Sequence, residues 1–150
     1  FDVAKGKVEI EKGKSIAVVG GGKIGLTLAE SLKDKGHEVI IIDEHKRLGH
    51  DVAPTWKWRH TSWVKELSIE TVTGVKVKDI SAAGVTVLDA DGERLVEANV
   101  IIAASPIRAN QELFQDFQWM VDELHGTGDA MVPGDLTLAI LNGYRLGCRI

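Results

Sequence analysis

Cysteine is almost missing from this chain: Cys148 is the single one among 150 residues. One thiol can neither close an internal disulfide nor supply the four ligands of an iron–sulfur cluster. With no C-x-x-C pair there is also no dithiol redox centre, so a reducing, cytoplasmic setting is expected. An excess of one charge is missing too. Eighteen basic against 22 acidic residues give a formal net charge of -4, which offers no electrostatic footprint for nucleic acid or an anionic membrane. The longest apolar runs, Val39–Ile42 and Val100–Ala104, fall far short of the roughly 18 residues that cross a bilayer. No signal-peptide pattern is read ahead of them.

Familiar catalytic and metal motifs are equally scarce. The lack of a G-x-S-x-G elbow argues against a serine hydrolase. The five histidines, His37, His45, His50, His60 and His125, show neither H-E-x-x-H nor Cys/His spacing. No metal site is expected from them, and they are assigned to the surface or to helix packing.

What remains is an ordinary globular composition, 44% hydrophobic and 27% charged, in a chain long enough to bury about 70% of its unfolded surface. Disorder and collagen-like structure are thereby excluded. The length suits one compact unit with a fragment of a second, and the start at Phe1 rather than methionine suggests a piece of something longer. Residues 1–14, rich in lysine, glutamate and glycine, read as a linker or edge segment; 15–109 and 110–150 read as a principal domain and a C-terminal segment.

The principal domain opens on Ser15–Gly20, a short β-branched run ended by glycine, as befits a strand buried on both faces of a parallel sheet. In Lys23–Lys35 the apolar residues Ile24, Leu28 and Leu32 recur at helical spacing, and Gly36 stops the helix. His37–Asp43 is the next strand. Strand, helix and strand within about 30 residues make a βαβ unit with a right-handed crossover.

Thr55–Leu67 predicts a second helix with Trp56, His60, Trp63, Val64 and Leu67 on one stripe and Trp58 off it. Trp56 and Trp63 are expected to pack rather than to line a cleft. A strand over Ser68–Thr73 follows. Val75–Ile80, Val85–Leu88 and Arg94–Val96, the last two joined through Asp91-Gly92, predict a three-stranded antiparallel meander. Asn99–Ala104 returns to the parallel sheet. The fold class is therefore α/β, a Rossmann-type parallel sheet with flanking helices and an antiparallel β-meander. Beyond it, Asn110–Leu124 reads as helical around Leu113, Phe117, Met120, Val121 and Leu124. Gly126–Asp129 is a turn, and Asp135–Arg149 is an amphipathic helix capped by Asp135. If that helix lacks a sheet to rest on, Leu136, Ile140, Leu141 and Tyr144 need another apolar surface, and self-association is expected.

Chemistry concentrates at Gly20-Gly21-Gly22-Lys23-Ile24-Gly25. This is G-x-G-x-x-G between a strand and a helix: Gly20 for the tight turn, Gly22 for close approach of a pyrophosphate, Gly25 for helix-on-strand packing. The free amides at the helix start, with the positive end of its dipole, bind a diphosphate without a basic side chain. About 20 residues on, at the end of the next strand, Asp43 stands where a carboxylate accepts the adenosine ribose hydroxyls, with Glu44 beside it. Asp43 would repel a 2′-phosphate, which favours NADH over NADPH, whereas Lys46 and Arg47 could attract one.

These residues, the hairpin at Asp91-Gly92, the strand ending Ile101-Ile102-Ala103-Ala104, and Thr127-Gly128-Asp129-Ala130 followed by Ala139–Arg145 resemble the C-terminal part of the NADH:flavin oxidoreductases. That family includes 2-enoate reductase, 2,4-dienoyl-CoA reductase and trimethylamine dehydrogenase. The resemblance covers most of Ser15–Ile150. It implies an NADH-binding domain inserted in an FAD-binding domain, with FMN and a 4Fe-4S cluster on parts outside this chain. It also implies that Ala104 and Ser105 lie by the nicotinamide, and that Asp129 belongs to a glycine–aspartate pair contacting FAD. No acid, base or nucleophile is nominated, and the fragment alone is expected to be inactive.

The sequence departs from the family pattern twice. Ala104-Ser105-Pro106 stands where glycine is usual, so bulk at Ser105 is expected to weaken or reposition the nicotinamide. Asp122–Gly126 is polar where an apolar strand is usual. A non-catalytic ADP- or dinucleotide-binding module and the NAD(P)H domain of another disulfide-reductase-like flavoprotein share the same fingerprint.

Overall fold

The computed structural model describes residues 2–3, 5–104 and 107–150, and the chain divides into two compact units, Phe1–Pro106 and Ile107–Ile150. The first unit runs β1 (Ser15–Val19), α1 (Lys23–Asp34), β2 (Glu38–Asp43), α2 (Pro54–Glu66), β3 (Glu70–Thr73), β4 (Lys76–Ser81), β5 (Gly84–Asp89), β6 (Gly92–Glu97) and β7 (Val100–Ala103). Four strands form a parallel sheet in the order β3-β2-β1-β7; β4, β5 and β6 form a separate antiparallel sheet. Both the Rossmann-type sheet and the three-stranded meander are as the periodicity predicts.

Strand alternation divides the core into two layers. From β1, Ile16 and Val18 join Val39 and Ile41 of β2 under Leu26, Ala29 and Leu32 of α1. Ala17 and Ile42 face the other way, onto Val85, Val87 and Val96 of the meander. Helices thus cover one face of the parallel sheet and the meander covers the other, which explains why its strands are apolar on both faces. The register of β1 sets Ala17 opposite Ile40 on one side and Ile101 on the other. Asn99 ties the starts of β7 and β1 together: its Oδ1 accepts the Ser15 amide at 3.1 Å.

Helix α1 ends in a Schellman motif. Gly36 has φ +86°, its amide donates to Lys33 O at 2.9 Å, and the His37 amide donates to Leu32 O at 3.2 Å, the double bond pattern that a left-handed glycine permits. At the β5–β6 hairpin, Asp89 pairs with Gly92, so Ala90 and Asp91 are the loop residues and Gly92 closes it. Asp89 Oδ1 accepts the Asp91 amide at 2.9 Å. Strand β4 is exposed along its length and carries a register shift between Val77 and Asp79, a feature that blunts an edge.

Two expectations need correction. Helix α2 has no buried residue, and Trp56, assigned to its packing stripe, is 63% exposed, as is Trp58. Only the later part of the helix, through Val64, and Leu67 just after it reach the core, so its first turn has nothing to cover Trp56. In the second unit the helix expected over Asn110–Leu124 is only α3 (Glu112–Phe117). Leu113, Phe117, Met120 and Val121 are all exposed, and a helix with no apolar face to bury lacks the packing that would extend it. Residues 2–3 and 5–14, read as a linker or edge segment, carry turns and bends, with Val3 and Ile10 resting on the helix-side core.

The second unit continues with a 3-10 turn over Gly128–Ala130 and helix α4 (Leu136–Gly147). As predicted, Asp135 caps α4, its Oδ1 accepting the Leu138 amide at 2.8 Å. Among the described residues no helix is long and apolar enough to cross a membrane.

Candidate functional site

The strand order places β2 and β7 on opposite sides of β1, which makes the carboxyl end of β1 a topological switch point, where ligands of open α/β sheets bind. Gly20 leaves β1 there with φ +110°, a conformation that favours glycine. Its amide donates to Ile42 O at 2.8 Å, which holds the turn to β2. At Gly25 a Cβ would stand 1.8 Å from Gly20 O and 3.5 Å from the Ala104 side chain. Any side chain there would drive α1 off the turn.

Asp43 is buried, 5% exposed, beside this turn. Its Oδ2 accepts the Gly21 amide. Its Oδ1 accepts the His45 amide at 2.6 Å and lies 2.8 Å from His45 Nδ1. Burial pushes the carboxyl up, but the amides of Gly21 and His45 and the His45 ring outweigh it and hold Asp43 below the ordinary carboxylate range. Three of a carboxylate's roughly four acceptor sites are used, which leaves one for a hydroxyl donor. A groove lined by Val19, Gly20, Ile42, Asp43, Glu44, His45 and Val75–Val77 opens at this place.

The connection after β2 folds back over the glycine turn. The Gly49 amide donates to Gly21 O at 2.7 Å, and Leu48 packs where a Gly21 Cβ would stand. Helix α1 has Gly22 at its N-cap, with no side chain to offer. The cap comes instead from Asp51, whose Oδ1 accepts the Lys23 amide at 2.7 Å. A Cβ on Gly22 would lie 2.9 Å from both Asp51 carboxylate oxygens. A carboxylate therefore already sits at the positive end of α1, the position that suits a phosphate. The fingerprint contains no hint of Asp51. The one local signal is an acidic residue two positions after Gly49 in a loop leading out of β2.

Gly20, Gly21, Gly22, Lys23, Ile24, Gly25 and Asp43 are thus brought together as the spacing requires. Glu44 is exposed at the groove, and Lys46 and Arg47 are exposed on the loop beyond it. Ala104 lies at the end of β7, its amide donating to Val19 O at 2.8 Å. Ser105 lies outside the described residues. Asp129 belongs to the second unit, where it is exposed and its Oδ1 accepts the Gly134 amide at 3.2 Å. The histidines prove less uniform than expected: His37 is buried, His60 Nδ1 is 2.8 Å from Glu30 Oε1, and His45 and His50 stack with ring centres 4.0 Å apart. Glu30 is pushed up by burial, a shift partly offset by its bond to His60.

A profile of the pyridine nucleotide-disulphide oxidoreductases matches residues 2–127. The chain belongs to that family. Membership makes it an oxidoreductase domain of the flavoprotein kind and implies binding of FAD and NAD(P)H. It is 26% identical over 152 residues to an NADH oxidase of Thermoanaerobacter brockii, covering 100% of this chain and 23% of that protein. It superposes on a 2-naphthoyl-CoA reductase solved with 2-naphthoyl-CoA, with a TM-score of 0.84 at 26% identity, covering 99% of this chain and 23% of the other. The histamine dehydrogenase of Rhizobium sp. 4-9 shares the fold, with a TM-score of 0.84 at 18% identity over 97% of this chain and 24% of that one. The chain therefore spans about a quarter of each of these relatives.

Proposed function

We propose that this chain is the NADH-binding domain of a larger flavin-dependent oxidoreductase of the enoate or dienoyl-CoA reductase type. The observation that carries the reading is the Gly20–Gly25 turn hydrogen-bonded through Gly21 to a buried Asp43 at the switch point of the sheet. The NADH oxidase and naphthoyl-CoA reductase among its relatives support it.

The residues fit a dinucleotide. Gly22 lacks the Cβ that would block close approach, and the amides at the start of α1 are aligned with its dipole. Asp43 has one acceptor site left for a ribose hydroxyl. When bound, NADH supplies the hydride that its nicotinamide C4 passes to a flavin. The protein's part is placement. The Lys23 amide exchanges the Asp51 carboxylate for a diphosphate oxygen, Asp43 holds the ribose, and Gly25 keeps α1 pressed onto β1 so that the two contacts stay in register. Asp43 also disfavours a 2′-phosphate, and NADPH binds more weakly than NADH.

Asp129 would face FAD, and Ala104 and Ser105 the nicotinamide, in the longer protein. A single cysteine gives this chain no donor set for a 4Fe-4S cluster, so the cluster belongs to other parts of that protein, where the family resemblance places FMN as well. The exposed apolar residues Leu136, Ile140 and Tyr144 of α4 are the surface its flavin domain would cover, and the single cysteine suits a reducing, cytoplasmic setting. Calorimetric titration of the folded chain with NADH, NADPH and ADP tests the binding. Saturable 1:1 heats for NADH and ADP, with NADPH weaker, are expected. The absence of a saturable signal in a folded sample overturns the reading.

A further inference from the structure

We infer that Asp43, His45 and His50 form a binding site for one divalent transition-metal cation of the zinc class at the mouth of the nucleotide groove. The three side chains each offer a ligand atom, and these atoms all lie within 4.8 Å of one another. Two imidazole nitrogens and one carboxylate oxygen are a donor set for Zn²⁺, Co²⁺ or Ni²⁺, and a poor one for Mg²⁺ or Ca²⁺, which take oxygen. Metal–ligand bonds of about 2.0–2.2 Å require ligand atoms roughly 3.3 Å apart in a tetrahedral site. Side-chain rotation of the exposed His45 and His50 supplies that small contraction, and the fourth position is left to water.

The backbone that carries these ligands is pinned. The His45 amide is held by Asp43 Oδ1 at 2.6 Å, and its carbonyl accepts the Gly74 amide at 3.1 Å. His50 stands between Gly49, bonded to Gly21 O, and Asp51, bonded to the Lys23 amide. The two rings are already neighbours, stacked 20° from parallel with centres 4.0 Å apart, and binding one ion requires the exposed imidazoles to tilt until both in-plane lone pairs meet at the metal. The spacing of the histidines in sequence does not show this site, because its anchoring carboxylate belongs to β2 and its second imidazole to the far side of the loop.

One consequence rests on the nucleotide reading above: since Asp43 is also the ribose acceptor, metal and dinucleotide exclude each other. The test is a titration of the full chain with Co²⁺ followed by visible absorption, and with Zn²⁺ by calorimetry. One equivalent should bind, with the d–d bands of a tetrahedral site. H45A and H50A, both at exposed positions, should each weaken binding by at least about tenfold. H125A, at the exposed pair with Glu123, and C148S should leave it unchanged. No binding, or binding that survives in the H45A/H50A double variant, overturns the site. Loading with Zn²⁺ should then lower NADH affinity in the unaltered chain and leave it unchanged in H50A. Metal binding with unaltered NADH affinity refutes the competition alone. Failure of NADH to bind the metal-free chain refutes the nucleotide reading and leaves the metal result standing.

Discussion

The two units differ in how far they can account for themselves. Among the described residues, all the buried apolar ones, from Ile16 to Ala98, lie in the first unit, where they fill two layers against a sheet. Among the described residues the second unit buries none, and Leu113, Trp119, Leu136, Ile140 and Tyr144 are all more than half exposed. Yet α4 carries a proper cap at Asp135 and an apolar stripe. Local chemistry suffices to form a helix end, but a surface must be supplied before the stripe stabilises anything. The first unit reads as a fold in its own right, the second as half of one.

The largest test of that contrast is a pair of truncations. Ile41→Ala empties a fully buried site between β2 and α1 and should cost about 2–5 kcal/mol. Ile140→Ala in α4 should stay within about 0.5 kcal/mol. Chemical denaturation followed by far-UV dichroism measures both, and similar costs would erase the distinction. Gly25→Ala comes next: its new Cβ meets the Gly20 carbonyl, and overpacking of this kind costs about 1–3 kcal/mol, together with loss of NADH binding.

Acid should act on the first unit through Asp43. Its folded carboxyl is held low, so the stabilisation is complete above the ordinary value of 3.8 and is lost as pH falls through the depressed folded value. Melting temperatures should therefore drop below about pH 4. Glu30, pushed up by burial, has the opposite sign, favouring the fold below its ordinary value of 4.5 and opposing it as pH rises through the higher folded value. Glu30→Gln should remove the gain in melting temperature that the unaltered chain shows as pH falls from 6 toward 4.5, and leave the loss below about pH 4 in place. A melting temperature that does not change between pH 6 and pH 3 in either protein contradicts this assignment.

The smallest expected effect is the most specific. Asp51→Asn keeps an oxygen for the Lys23 amide but removes a charge from the end of α1, which should cost about 0.3–1 kcal/mol of stability. The same change removes a carboxylate competing with a diphosphate, so NADH should bind more tightly. Opposite signs for stability and affinity are the signature; loss of both would make Asp51 a simple structural cap.

Much of the first unit was legible because each of its signals is local. The β-branched runs of β1 and β2, the glycines that only a tight turn explains, and Asp91-Gly92 at the hairpin all act within a few residues of themselves. What escaped the sequence depends on distant partners. Asp51 reaches an amide 28 residues before it, and His45 and His50 meet at a carboxylate through the path of a loop. Trp56 follows a helical period that α2 satisfies only in its later part. Over 118–124 the period continues but no face covers it, so the helix stops at Phe117.

The central claim is that the turn at Gly20–Gly25 and the carboxylate of Asp43 bind a dinucleotide together. Amide NMR of the isotopically labelled chain during titration with NADH tests it residue by residue. Saturable shifts centred on Gly21, Gly22, Lys23 and Glu44, with parallel movement at Asp51 as its carboxylate is released, are the predicted result. A well-dispersed spectrum of a folded chain in which those amides do not move, or move only with scattered surface residues, would contradict it.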